Sequence, residues 1–211
     1  EVIHNGASAA FLGDHDPAPV REQFGFGDDL VLGFVGFVRA WHGLSRAVSF
    51  LAQYERKDVR LFIVGDGPAR ADLKRLAADL GVASRVTFAG VVQPEALPAY
   101  VAAFDVALQP AVVEYASPLK LFEYMAAAKP ILAPDAQNIR EVLSSGEDAS
   151  LFDCDNDHAF DKALTHLIED EELRQRLGAA ARASLMRHGL TWDENARRVE
   201  RIAEEMLKDK Q

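Results

Sequence analysis

The chain has 211 residues, enough for one α/β domain of ordinary to large size, and 49% of them are apolar, so a substantial core can be buried. Its formal net charge of −10 argues against a nucleic-acid polymer or an anionic membrane as the main partner, while leaving room for a local basic pocket. A single cysteine, Cys154, excludes an intrachain disulfide and a cysteine metal centre and fits a reducing cytoplasm, and no apolar run reaches transmembrane length.

The chain opens abruptly at Glu1-Val2-Ile3-His4-Asn5-Gly6, with neither an initiator methionine nor a signal segment, and reads as a piece of a longer protein. Residues 2–3 read as the end of a strand running into a His4-Asn5-Gly6 turn. Residues 14–29 are loop-rich, with Pro17, Pro19, Gly25 and Gly27 around a short helix at 20–24. Residues 30–36 are apolar without alternation, as a strand buried on both faces should be. A helix at 44–54 leads to a second strand at 59–64, closed by Gly65-Asp66-Gly67-Pro68. A helix at 70–80 stops at Gly81, and a third strand at 85–89, a helix at 95–103 and a fourth strand at 105–108 follow. The loop 109–116 feeds a helix ending near residue 128. A fifth strand at 130–133, a helix at 139–144 and a short sixth strand at 149–152 come next, and helices fill 157–168, 171–188 and 193–208.

This alternation predicts an α/β fold, a Rossmann-like three-layer α/β/α arrangement around a parallel sheet of about six strands. Such sheets bind ligands beyond the carboxyl ends of the strands, near the point where strand order reverses. Segments 36–43, 65–68, 90–94 and 109–117 should therefore share one rim. There is no internal repeat and no low-complexity tract.

The rim carries its chemistry in Ser117-Pro118-Leu119-Lys120-Leu121-Phe122-Glu123-Tyr124-Met125. Ser117 reads as an N-cap and Pro118 as the first helical residue. The unpaired amides and partial positive charge of a helix start suit a phosphate. Ser117, Lys120 and Glu123 fall three apart and share one face, while Leu121, Phe122, Met125 and Ala126 fall on the other. An ordinary amphipathic helix with a solvated polar face is the plain alternative. In Gly36-Phe37-Val38-Arg39-Ala40-Trp41-His42-Gly43 the end glycines permit a tight turn, and Arg39 and His42 bring two candidate cationic donors towards Lys120, His42 being open to either charge state near neutral pH. The expectation is a diphosphate site; the plain reading is a surface arginine and a partly buried histidine. Gly65-Asp66-Gly67-Pro68 is mostly turn chemistry, with backbone contact to a ligand as its other use. Glu114 and Glu123 are the nearest carboxylates, and Glu123 would suit a sugar hydroxyl pair or, in the plain reading, solvent. No Gly-x-Gly-x-x-Gly follows the first strand, which leaves a dehydrogenase without support, and no phosphate loop or His-x-x-x-His metal spacing is present.

Taken together, the chain resembles the C-terminal, donor-binding domain of a GT-B-fold glycosyltransferase of the large retaining group called glycosyltransferase family 4 (group 1). The resemblance rests on Asn5-Gly6, Gly33-x-x-Gly36, Trp41-His42-Gly43, Gly65-Asp66-Gly67-Pro68, Val86-x-Phe88-x-Gly90, Asp105-Val106-x-Leu108-x-Pro110, the run from Ser117 to Ala126, and Trp192 with Asn195 before a last helix. It implies a nucleotide diphosphate sugar donor, UDP-, GDP- or ADP-linked, with no separate cofactor and no metal. By position, Gly36, Arg39, His42, Gly65, Ser117, Pro118, Leu119 and Lys120 would hold the diphosphate or its surroundings, and Glu123 the ribose hydroxyls. Val91 and Val92 would meet the base, and the loop with Glu114 and Tyr115 would face the sugar. Arg39 and Lys120 would stabilise the leaving group, with Glu114 as a further catalytic candidate. The chain departs from the family pattern in two places. Phe37 and His42 stand where many members carry Arg and Lys. Tyr115 stands eight positions before Glu123, where many carry a second glutamate, and Glu114 is beside it.

The resemblance divides the chain into a donor-binding domain at 1–190 and a C-terminal helix at 191–211 that in the family crosses back to an N-terminal domain. That absent domain would bring the sugar, lipid-linked or polysaccharide acceptor, so the piece alone should be inactive. The expected location is cytoplasmic, or peripheral at the inner membrane for the full-length protein. Trp192, Ala196, Val199, Ala203 and Met206 make a helical stripe that could pair with a second copy or fold back on its own domain. The alternative function is a non-catalytic nucleotide-binding or regulatory module.

Overall fold

A computed structural model describes residues 2–208. Six strands pair in parallel: β1 (Leu30–Val35), β2 (Val59–Val64), β3 (Val86–Gly90), β4 (Val106–Leu108), β5 (Ile131–Pro134) and β6 (Ser150–Phe152), in the order β3-β2-β1-β4-β5-β6. Nine helices connect and cover them among the described residues: α1 (Ala18–Phe24), α2 (Leu44–Gln53), α3 (Arg70–Asp79), α4 (Leu97–Ala102), α5 (Leu119–Ala126), α6 (Gln137–Arg140), α7 (Ala159–Glu169), α8 (Glu171–Arg187) and α9 (Trp192–Lys208).

Every residue of β1 is buried, because alternate side chains enter two different cores. Leu30, Leu32 and Phe34 meet Leu44, Val48 and Leu51 of α2, Leu73 of α3 and Leu164 of α7. Val31 and Val35 meet Leu121, Phe122 and Met125 of α5 and Leu185 of α8. This is the expected three-layer arrangement. Strands covered on both faces need no polar alternation, which is why β1 is a continuous apolar run and β2 is apolar except at half-buried Arg60, which pairs with Asp29.

The order reverses between β1 and β4, which pair only at Leu32↔Val106 and Gly33↔Ala107. Past Gly33 the two strands part, and α5 lies over the gap. There the Val35 N–H donates to the Tyr124 hydroxyl at 2.9 Å, so a helix side chain satisfies a strand amide where the ladder ends.

Several local expectations move. Residues 2–3 form no strand; Val2 is exposed, and the first pairing of the segment is the bridge of Ala7 with Thr191. The third strand starts at Val86, and Arg85 instead sits buried in a 3-10 turn, donating to the carbonyls of Leu51, Val59 and Arg56. The helix expected at 139–144 lies earlier, at Gln137–Arg140. The last helix starts at Trp192, and its Asn195 amide donates to the His4 carbonyl at 2.7 Å. Asn195 is its single buried residue, while Trp192, Val199 and Met206 are exposed. The expected unit 191–211 runs beyond the described residues at 209–211. No helix among the described residues is long and apolar enough to cross a membrane.

Candidate functional site

The helix start differs from its expected form by one residue. α5 begins at Leu119, and Pro118 occupies the cap with ψ 109°, outside the helical range. Ser117 does not cap the helix. Its Oγ instead accepts from the Asn5 side-chain amide at 3.1 Å, and the same amide donates to the Ser117 carbonyl at 3.2 Å. The capping preference of serine yields here to a tertiary partner, and the first amides of α5 stay without a side-chain cap. The loop before it is held from the other side by Asn138 of α6, whose amide donates to the carbonyls of Val113 (3.1 Å) and Ala116 (2.6 Å).

The loop after β1 passes under this helix start. Gly36 has φ 142°, and a Cβ placed on it would come within 3.3 Å of Lys120 Cε and 3.4 Å of Nζ. Glycine is needed for that backbone angle and for the close approach of the lysine. The loop then closes a 3-10 turn, Ala40–His42, in which the Arg39 N–H donates to His42 Nδ1 at 3.3 Å. The ring also hydrogen-bonds the backbone of Phe37, which favours its protonated form.

Two cavities meet at Val35, Gly36 and Leu97. The first, about 430 Å³, is lined by Gly36, Trp41, His42, Gln109, Ser117, Pro118, Leu119, Lys120 and Glu123, among others. The second, about 240 Å³ and largely apolar, is lined by Phe37, Gly65, Asp66, Val91 and Val92. Together they form one groove at the carboxyl ends of β1, β2 and β4. The Asp66 carboxylate is used within its turn, accepting from the Gly67 N–H at 2.7 Å and from Arg70 at 2.6 Å.

The charges in the groove are shaped by burial. Lys120 is held down to about 8, chiefly by desolvation, against which Glu123 pulls it up. Its Nζ lies 4.4 Å from the centre of the Phe34 ring, whose face offsets part of the lost hydration. Burial raises the Glu123 carboxyl, and Lys120 opposes that. His42 is lowered to about 4 by burial, then by Lys120 and Arg39. It is therefore neutral at pH 7, the uncharged one of the two states that the sequence left open.

Arg39 departs further. Its backbone is in the loop, but its guanidinium stacks on the Phe37 ring at 4.8 Å, and the residue lines a separate hollow of about 250 Å³ between α2 and α3. The backbone at Arg39 is extended, and the residue is exposed. Glu114 and Tyr115 are exposed, Tyr115 at 92%, and line neither cavity of the groove. Asn138 holds the loop on either side of them, which leaves their side chains at its outer bend. So the groove brings together Gly36, His42, Gly65, Val91, Val92, Ser117, Pro118, Leu119, Lys120 and Glu123, and leaves Arg39, Glu114 and Tyr115 outside. Sequence reasoning missed Gln109, Trp41 and Leu97 in the lining and the bracing amides of Asn5 and Asn138. A polar residue closing an apolar strand just before Pro110 was the available signal for Gln109. No group of three or more His, Cys, Asp or Glu side chains that could hold a metal ion exists among the described residues.

A family profile described as glycosyl transferases group 1 matches residues 19–184, most of the chain. The chain belongs to this family. Among its relatives, alpha-D-kanosaminyltransferase of Streptomyces kanamyceticus is 27% identical over 166 residues, 78% of this chain and 43% of that protein. A GDP-mannose-dependent alpha-mannosyltransferase of Mycolicibacterium smegmatis is 33% identical over 164 residues, 77% of this chain and 40% of that protein. HepE of Anabaena, solved with UDP and with UDP-glucose, superposes with a TM-score of 0.85 at 22% identity, over 97% of this chain and 57% of that one. That likeness concerns the fold, a Rossmann-like half of a GT-B glycosyltransferase. This group 1 chain spans less than half the length of the two curated relatives.

Proposed function

We propose that this group 1 chain is the donor-binding part of a retaining glycosyltransferase, which moves a sugar from a nucleotide diphosphate sugar to an acceptor. The observation that carries the reading is Lys120. Its ammonium is partly desolvated, on the second residue of an uncapped helix start, beside Gly36 where the sheet splits. A diphosphate laid there meets the ammonium, the first amides of α5 and the ring of a neutral His42. As the bond from sugar to phosphate breaks, negative charge grows on the leaving diphosphate, and fixed donors in a dry site stabilise that change strongly. In this reading those protein donors carry the leaving group in place of a divalent ion, and chelator leaves turnover intact. The largely apolar second cavity takes the base, and Glu123 accepts from the ribose hydroxyls.

The acceptor side of the reaction belongs to the part of the relatives' length that this chain does not span, so the 211-residue chain alone binds nucleotide and does not transfer. The cytoplasm is the place for this reaction in the same reading. A second reading, a nucleotide-binding module without catalysis, draws on the outward Arg39 and on Glu114 lying outside the groove. Calorimetric titration of UDP, GDP, ADP and NAD tests the first premise: preference for one nucleoside diphosphate over NAD supports a donor site, and NAD preference defeats it. Sugar transfer by the full-length polypeptide then separates the two readings.

A further inference from the structure

A residue that caps a helix start uses two of its own groups. Its carbonyl accepts the first bond of the helix, and its side-chain oxygen accepts from the second or third helical amide. Before α5, Ser117 and Pro118 are the favoured pair for such a start, serine as cap and proline as first helical residue. Pro118 already has a helical φ of −68°, and its ψ of 109° is what keeps it outside the helix. Both capping groups of Ser117 are engaged elsewhere. The Asn5 side-chain amide donates to the Ser117 Oγ at 3.1 Å and to the Ser117 carbonyl at 3.2 Å. Turning that amide over would set its oxygen against the Ser117 carbonyl, so its orientation is determined. Asn5 is itself held on both sides. The His4 carbonyl accepts from the Asn195 side chain at 2.7 Å, and the Trp192 N–H donates to the Ala7 carbonyl at 3.1 Å. Gly6 lies so close to Thr191 that a Cβ on it would come within 2.5 Å of that backbone. One side chain, fixed against the start of α9, thus engages the two groups that would close the start of α5.

We propose that Asn5 is a positioning residue for the diphosphate site: it holds Ser117 out of the cap position and so keeps the Leu119 and Lys120 N–H groups open to the ligand. The inference rests on the donor-site reading, which stands on Lys120 and the groove. It goes beyond that reading by naming what keeps the helix start unoccupied. Two states of the segment compete. In one, Ser117 is tied to Asn5 and α5 starts at Leu119, as observed. In the other, Pro118 joins the helix and Ser117 caps it, so a hydroxyl takes the amides that an anion would use. A serine cap favours a helix start about fivefold. Without Asn5 that preference works against the ligand, because affinity falls with the fraction of the chain in the state that binds.

The test titrates UDP and GDP into the full-length polypeptide as wild type, Asn5→Ala and Asn5→Ala/Ser117→Ala. The expected result is that Asn5→Ala binds the preferred nucleotide roughly fivefold more weakly. Removing the Ser117 hydroxyl as well restores most of that affinity, since alanine is a poor cap. A double variant no tighter than Asn5→Ala means that Asn5 only supports the loop, and overturns the inference. An Asn5→Ala protein that binds like wild type does the same. Amide hydrogen exchange without ligand gives a second readout. The Leu119 and Lys120 amides exchange more slowly in Asn5→Ala than in wild type, because the serine caps them, whereas simple loss of a loop contact would speed them. Unchanged or faster exchange therefore also overturns the inference. If Asn5→Ala does not fold, Asn5→Leu, of similar size and without a hydrogen-bonding group, takes its place in each comparison. Absence of binding by wild type defeats the donor-site reading and this inference with it, whereas wild-type binding without the restoration by Ser117→Ala defeats this inference alone.

Discussion

Replacing Lys120 by methionine keeps an unbranched stem against Phe34 and removes the charge. Two opposite effects follow. At pH 7 the ammonium is mostly protonated although burial holds it at about 8, against 10.5 in the unfolded chain. The unfolded state binds more protons between those values, so this group's contribution to stability rises with pH from about 8 to 10.5, and at pH 7 its full penalty is present. The shift corresponds to about 3 kcal/mol. Lost contact with the Phe34 face and a Glu123 carboxyl deprived of its positive neighbour offset part of that, so Lys120→Met should be more stable than wild type by about 1–2 kcal/mol in urea unfolding at pH 7. Binding moves the other way. A charge-assisted hydrogen bond to a phosphate is worth about 1.5–3 kcal/mol, so nucleotide affinity should fall roughly 10- to 100-fold, and turnover by the full-length enzyme by 100-fold or more. Wild-type affinity should decline as pH rises through about 8, where an ordinary lysine would hold its proton to 10.5, and binding at pH 8 should take up protons in calorimetry across two buffers. A Lys120→Met protein that is less stable than wild type, or that binds and turns over normally, refutes the assignment of Lys120 to the diphosphate.

His42 should make the protein acid-sensitive in a defined window. Its folded value of about 4 lies below the ordinary 6.5, so its contribution is complete above 6.5 and is lost as pH falls to 4, at most about 3 kcal/mol. His42→Asn, which keeps an acceptor for the Arg39 N–H, should flatten the difference in urea stability between pH 4.5 and 7; an unchanged slope removes His42 from the account. Asn138→Ala should cost about 1–2 kcal/mol and weaken nucleotide binding several-fold, since two carbonyls of the loop before α5 lose their donor. Thermal melting and calorimetry read both, and loss of stability with untouched binding would show that the loop does not position the helix start. The exposed stripe of Trp192, Val199 and Met206 should let the 211-residue chain pair with a second copy in sedimentation, and a strict monomer at every concentration ends that idea.

The elements most legible in the sequence are those decided by burial alone. β2 occupies the expected residues 59–64, and β1 stops one residue short of the expected 36; strands between two helical layers are mostly apolar, with Arg60 the exception in β2. The apolar pair at residues 2–3 looked similar but had no neighbouring strand to join, and propensity without a partner makes no sheet. The start of α5 was misread by one residue for a related reason. Serine before proline invites a local cap, but the hydroxyl is engaged by Asn5, 112 positions away in the chain, and no window of neighbours reports that.

The site shows the same limit more sharply. Chain position placed Arg39, His42 and Lys120 on one rim; His42 and Lys120 line the groove there, and Arg39 lies outside it. What it could not supply was the direction of a side chain or the charge on a ring. Arg39 lies over the Phe37 ring, while His42 from the same turn lines the groove. The same turn buries His42 beside Lys120, and that burial removes its charge. Of the three candidate cations, the groove thus holds a single ammonium with a neutral ring beside it. A nucleoside diphosphate can still be held by that pair together with the amides of α5. The second cation would then arrive only if Arg39 leaves Phe37 on binding, and Phe37→Ala measures this. Freed from the ring, Arg39 should raise nucleotide affinity, an effect worth about 0.5–1 kcal/mol at an exposed site, or two- to fivefold. An unchanged or weaker affinity in Phe37→Ala would mean that Lys120 and the helix start hold the diphosphate without Arg39.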